Sequence, residues 1–110
     1  MNIYNLSPTD VERLLRDDAI VLIDVREPAE YALERIDGAL LFPLSTFDPH
    51  ALPECGTRRV VFHCGSGVRS MRAISACHAA GLPYDSHMKG GIQAWKAAGL
   101  PTVATEGAPG

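Results

Sequence analysis

The 110-residue chain lacks any long apolar run. Its longest, AIVLI from Ala19 and ALLF from Ala39, fall far short of the roughly 20 residues that cross a bilayer. No membrane segment is therefore expected. The opening MNIYNLSPTD has neither a basic region nor an apolar core, so it does not read as a secretory signal. Cysteine is scarce. The three present, Cys55, Cys64 and Cys77, are odd in number and form no C-x-x-C, which argues against a disulfide framework and a zinc ribbon. His50, His78 and His87 show no ligand spacing, so no metal is expected. The net charge of −3 gives no reason to expect nucleic acid. No internal repeat is visible. These absences leave a cytoplasmic protein with reduced thiols as the expectation.

Another absence is local. No Asp or Glu occurs from Cys55 to Tyr84, yet Arg58, Arg59, Arg69 and Arg72 all lie there. The chain is acidic overall and basic in its middle. Arginine supplies eight of the ten basic residues, which favours fixed, bidentate anion contacts.

Hydrophobic residues make up 46% of the chain, enough for a packed core. Residues 1–104 are expected to form one domain, and 105–110 (TEGAPG) a flexible tail. SPTDVERLL reads as a helix start, with Ser7 as cap, Pro8 in the first turn and an apolar stripe of Val11, Leu14 and Leu15. AIVLIDV, GALLFPL and RRVVFHC read as strands, the first buried on both faces as in a parallel sheet. GVRSMRAISACHAAG reads as a helix burying Met71, Ala73, Ile74 and Cys77, turning Arg72 outward and ending at Gly81. YDSHM is a weak strand candidate. GGIQAWKAAG is a last helix, with Ile92 and Trp95 inward. Strands and helices alternate, which gives an α/β class with a mostly parallel sheet.

In such sheets ligands sit beyond the carboxyl ends of the strands. Cys64 falls there, at the start of CGSGVR. Gly65 and Gly67 let the backbone curl, and the next helix begins near Val68. Curled amides and a helix N-terminus together form an anion nest. A sulfur pointed into it is stabilised as a thiolate. Arg69 adds a cation at the rim, and Ser66 and Ser70 add hydroxyls. His63 adjoins Cys64, but strand neighbours face opposite sides, so it is not expected to act as the base. Asp24 and Arg26 end a strand at the same sheet edge; they either border the site or form an ion pair behind it. Cys77 reads as core. Cys55, in a Pro/Gly turn, reads as a bystander or a resolving thiol.

Cysteine phosphatases also place a cysteine after a strand, but with five residues before the arginine. Here four separate Cys64 from Arg69. A narrower ring leaves less room for a tetrahedral phosphoryl group than for one sulfur.

Three stretches together resemble the single-domain rhodanese, or sulfurtransferase, family: LIDVREPAEYALERIDGALLFPL, HCGSGVRS and MKGGIQAWKAAGLPTV. They span most of residues 20–103. The resemblance implies a rhodanese-like three-layer α/β/α fold around a central five-stranded, mostly parallel sheet. It implies Cys64 as nucleophile and a loop of Gly65, Ser66, Gly67, Val68 and Arg69 that holds the persulfide, with Asp24, Arg26 and Ser70 as supporting residues. Sulfane sulfur would pass from a small anionic donor such as thiosulfate to a thiol, cyanide or a protein acceptor, without a cofactor. A sulfur-relay module loaded by a protein partner is the alternative; a phosphatase or arsenate reductase is a third reading. Loops tied to thiosulfate often carry a basic residue where this chain has Gly65. CGSGV is similar to the two-domain mercaptopyruvate sulfurtransferases, whose loop ends in Thr where this one has Arg69.

Overall fold

The computed structural model describes residues 2–104. The expected tail, 105–110, lies outside them. Along the chain run β1 (Tyr4–Leu6), α1 (Pro8–Arg16), β2 (Ile20–Asp24), α2 (Pro28–Leu33), β3 (Leu40–Leu41), β4 (Arg59–His63), α3 (Val68–Ala79), β5 (Ser86–Met88) and α4 (Gly91–Ala97). Two short 3-10 turns, Leu44–Thr46 and Pro49–Ala51, join β3 to β4. The five strands form one sheet in the order β1-β5-β4-β2-β3, parallel throughout.

The two central strands explain the continuous apolar runs. Every residue of β2 is buried. Ile20 and Leu22 point to one face, where Val11, Ile36, Val61, Met88, Ile92 and Trp95 complete a core beneath α1 and α4. Val21 and Ile23 point to the other, where Val60, Phe62, Ala73, Ile74 and Cys77 pack beneath α3. With helices on both faces the sheet has no solvated side, so alternation disappears from the sequence. Each large apolar side chain buried this way contributes about 1.5–3 kcal/mol.

The caps follow local chemistry. Ser7 Oγ accepts the Asp10 N–H at 3.1 Å and starts α1 beside Pro8. Glu27 and Glu30 form a capping box at the start of α2. Gly81, at φ +79°, follows the end of α3, as expected of a helix stop. Trp95 is buried core and donates its Nε1–H to the Pro101 carbonyl at 2.8 Å.

Two expectations need correction, and one strand was not anticipated. Tyr4–Leu6 is a strand that no sequence pattern marked. GALLFPL shrinks to a two-residue edge strand, because Pro43 lacks the N–H a longer ladder needs. Met71 is 43% exposed rather than inward with Ile74 and Cys77. It lies in the first turn of α3, beside the glycine loop.

Candidate active site

β4 carries Val60, Phe62 and Cys64 toward α3, and Val61 and His63 toward α1 and α4. Cys64 therefore leaves the strand on the α3 side, at the carboxyl end of the sheet. It is 1% exposed and touches the apolar cluster under α3, but its sulfur faces polar groups. The Gly67 N–H donates to Sγ at 3.0 Å, and Ser70 Oγ lies 3.6 Å away. Gly67 is the N-cap of α3 and takes φ +106°, which an L side chain rarely adopts. That conformation turns its amide back onto the sulfur. Gly65 and Val68 complete the turn, and Ser66 and Val68 face solvent.

The loop is held from behind by α4. The Ile92 N–H donates to the Cys64 carbonyl at 2.8 Å, and the Gln93 N–H to the Gly65 carbonyl at 3.1 Å. Two carbonyls are thus drawn outward onto the first amides of α4, which otherwise have no intrahelical acceptor. Gly91 makes this docking possible. At φ +62°, a Cβ there would overlap the Cys64 carbonyl oxygen and lie 2.6 Å from that of Gly65. Sequence reasoning quoted Gly90 and Gly91 within a signature but did not count them as site residues; their adjacency was the available signal.

Arg69 is not a free cation at the rim. Its Nη1 and Nη2 donate to Glu30 Oε1 and Oε2 at 2.6 and 2.9 Å. Its guanidinium lies over Gly65, where an added Cβ would meet Nη2 at 3.1 Å. The pair ties the loop to α2. It holds the Glu30 carboxyl down to about 2, chiefly through the Arg69 hydrogen bonds, and pushes Arg69 further up. Glu30 was not singled out from the sequence, and nothing local marks it.

Asp24 and Arg26 form a buried bidentate pair. Arg26 Nε and Nη2 donate to Asp24 at 3.1 and 2.8 Å, and Nη2 also donates to the Glu34 carbonyl at 2.7 Å. The pair is buried, in keeping with the structural ion-pair reading, and lies near enough to Glu30 and Arg69 to act on both through charge. His63 lies beside it: Nε2 is 3.4 Å from Asp24 Oδ2 without hydrogen-bond alignment, and Nδ1 is 3.3 Å from the Cys64 carbonyl. Burial holds the His63 imidazole below its ordinary value despite the opposing pull of Asp24. Cys55 and Cys77 are free thiols; Cys55 Sγ contacts the Pro53 carbonyl. A groove of about 330 Å³, lined among others by Leu15, Asp18, Leu40 and Arg58, opens at the other end of β2 and shares no residue with this loop.

The fold and the site define a three-layer α/β/α protein with a cysteine at a strand's carboxyl end, in a glycine loop opening a helix. Comparison with known proteins narrows it. Residues 7–98 match the family model described as the rhodanese-like domain. A protein of Allochromatium vinosum named sulfurtransferase is 36% identical over 96 residues, covering 87% of this chain and 90% of that one. An uncharacterized protein of Synechocystis is 41% identical over 104 residues, covering 94% of this chain; the chain spans 58% of that relative's length. Among solved structures, the rhodanese-like domain of the Anabaena Alr3790 protein superposes with a TM-score of 0.79 at 24% identity, covering 100% of this chain and 86% of that one. The chain belongs to the rhodanese-like domain family.

Proposed function

We propose that the protein is a cytoplasmic sulfurtransferase that carries sulfane sulfur as a persulfide on Cys64. The observation that carries this reading is the setting of Sγ: on the Gly67 amide at 3.0 Å, beside Ser70, in a four-residue-spaced Cys-to-Arg loop braced by α4. In the first step the Cys64 thiolate attacks the outer sulfur of a thiosulfate-like donor. The donor's S–S bond breaks and sulfite leaves with the bonding pair. In the second step cyanide or a thiolate attacks the outer sulfur of the persulfide, and Cys64 departs as thiolate. The Gly67 amide, aimed at the sulfur, favours the thiolate without rearrangement.

A related sulfur-relay reading, with a protein donor or acceptor, is favoured by one specific observation. Val68 and Met71, 64% and 43% exposed, flank the loop on α3 and offer apolar contact beside the sulfur. The phosphatase reading loses support, because Glu30 already occupies the arginine that would clamp a phosphoryl group.

Thiosulfate treatment followed by intact-mass measurement tests the proposal. One added sulfur atom is expected on the wild type, removable by cyanide, and none on Cys64→Ser. An unloaded wild type, or a serine variant that still loads, would sink it. Comparing thiosulfate, mercaptopyruvate and a persulfide by kcat/KM then identifies the donor class.

A further inference from the structure

Behind Sγ runs a hydrogen-bond chain that the reaction scheme above leaves unused. Ser70 Oγ, 3.6 Å from Sγ, is 2.9 Å from His87 Nδ1. His87 Nε2 is 2.7 Å from Asn5 Oδ1. Ser70 comes from α3, His87 from β5 and Asn5 from β1, so three remote segments converge on one thiol. Ser70 and His87 are buried, whereas Asn5 sits at the exposed edge of the sheet.

The chemistry of its end sets the polarity of this chain. Asn5 Oδ1 only accepts, so Nε2 carries the ring proton and donates it. The neutral imidazole then has a free lone pair on Nδ1, facing Ser70. The serine hydroxyl has one hydrogen, shared between Nδ1 and the Gly67 carbonyl at 3.2 Å. Its oxygen is left to accept from the Cys64 thiol.

We infer that Cys64, Ser70, His87 and Asn5 form a proton relay in which His87 is a positioning residue that takes the thiol proton through Ser70. The thiol proton passes to Ser70 Oγ as the serine's own hydrogen passes to Nδ1. The products are a thiolate and an imidazolium, and the net charge is unchanged. The new Nδ1–H donates to Ser70, Ser70 donates to the sulfur, and Nε2–H stays on Asn5. The sulfur, the hydroxyl oxygen and both ring nitrogens keep a partner in both states with no heavy atom moving, while the Gly67 carbonyl gives up its share of the serine hydrogen. When Cys64 leaves as thiolate in the second transfer, the proton returns by the same path.

The groups facing His87 do not compete for this role. Its neighbour across the ladder on β4 is Phe62. On the inward side of α3 the other titratable side chains are Cys77, whose thiol burial pushes up to about 11, and His78, two turns beyond Ser70, whose buried Nε2 has no hydrogen-bond partner among the described residues. On β1 its partner is Asn5. His63 lies on the other face of the sheet with Asp24. Burial holds the imidazole of His87 below its ordinary value, so it is neutral at rest and its Nδ1 lone pair is free.

The relay rests on Cys64 being the nucleophile, and its test is independent of sulfur transfer. The rate of iodoacetamide alkylation at Cys64, read by mass spectrometry of its peptide, is followed against pH in wild type, Asn5→Asp and His87→Gln. A carboxylate on Nε2 favours the imidazolium, so Asn5→Asp is expected to speed alkylation near pH 6 by about threefold or more. Glutamine can bond to Ser70 but takes no proton, so His87→Gln slows it by about tenfold. In the double variant the gain from Asn5→Asp disappears. The sign decides the matter: without a relay, an added carboxylate only repels a thiolate and slows alkylation. Slower or unchanged alkylation in Asn5→Asp overturns the relay, and because that position is exposed the variant keeps its fold. Failure of wild type to load sulfur would overturn the sulfurtransferase reading and leave this result standing.

Discussion

Two cysteines lie at opposite ends of α3, both buried in the same apolar cluster. Cys64 precedes the helix; Cys77 sits in its last turn. The Cys64 sulfur receives the Gly67 amide and adjoins Ser70. Cys77 has desolvation alone, which drives its thiol up to about 11 and keeps it protonated. Burial is common to both and so cannot be what makes a nucleophile. The difference is the end of the helix each occupies. Free amides and the positive pole lie at the first, carbonyls and the negative pole at the second.

Replacing each thiol gives the sharpest contrast. Cys64→Ser is expected to cut sulfur transfer by about a thousandfold or more while leaving the melting temperature almost unchanged, since serine fits the same space. Cys77→Ala should do the reverse, losing about 1–2 kcal/mol of stability in urea titration and keeping kcat. If Cys77→Ala abolished transfer, the two ends of the helix would not differ as argued.

The next effect comes from the brace rather than the thiol. Gly91→Ala places a methyl against the Cys64 and Gly65 carbonyls at a backbone angle that favours glycine. The loop must shift, and its amides with it. A fall in kcat/KM of about a hundredfold is expected, with KM changing less than kcat, because misplaced donors are felt most in the transition state. Gly81→Ala carries the same backbone penalty but has open space around it, and it should lose stability without a specific loss of transfer. Equal losses of activity in the two variants would remove the brace from the mechanism.

How much of this was readable beforehand follows from distance along the chain. Cys64, Gly65, Gly67 and Ser70 lie within seven consecutive residues, so the strand, the turn and the helix start announce themselves together. β2 and β4 were legible because burial on both faces leaves unbroken apolar runs. β1 was not, because an edge strand with exposed Tyr4 and Asn5 carries no alternation. Met71 was assigned inward by helical period, but the first turn of α3 extends past the core to the loop. Glu30, His87 and Asn5 lie 34, 23 and 59 residues from Cys64 and reach the site only through the strand order and helix packing. No single-residue pattern marks them: Glu30 was not singled out at all, and His87 was set aside for want of ligand spacing.

The smallest effect concerns the charge over the loop. Glu30 and Arg69 are each about a third exposed, so solvent screening limits their pair to well under 1 kcal/mol of stability. The sign with pH is nonetheless definite. The Glu30 carboxyl titrates near 2 in the fold against an ordinary 4.5, so its contribution is complete above about pH 4.5 and fades as pH falls toward 2. Glu30→Gln should therefore be slightly less stable than wild type at neutral pH, with the gap closing in acid. The same change frees Arg69 to meet an anion. KM for thiosulfate is expected to fall about threefold at low ionic strength, and the gain should shrink as salt rises. A KM that rises instead would mean that Glu30 acts by holding the loop in shape. The arginine would then serve the loop's geometry rather than the donor's charge, and Cys64 would depend on the fold, not on a local cation, for everything that distinguishes it from Cys77.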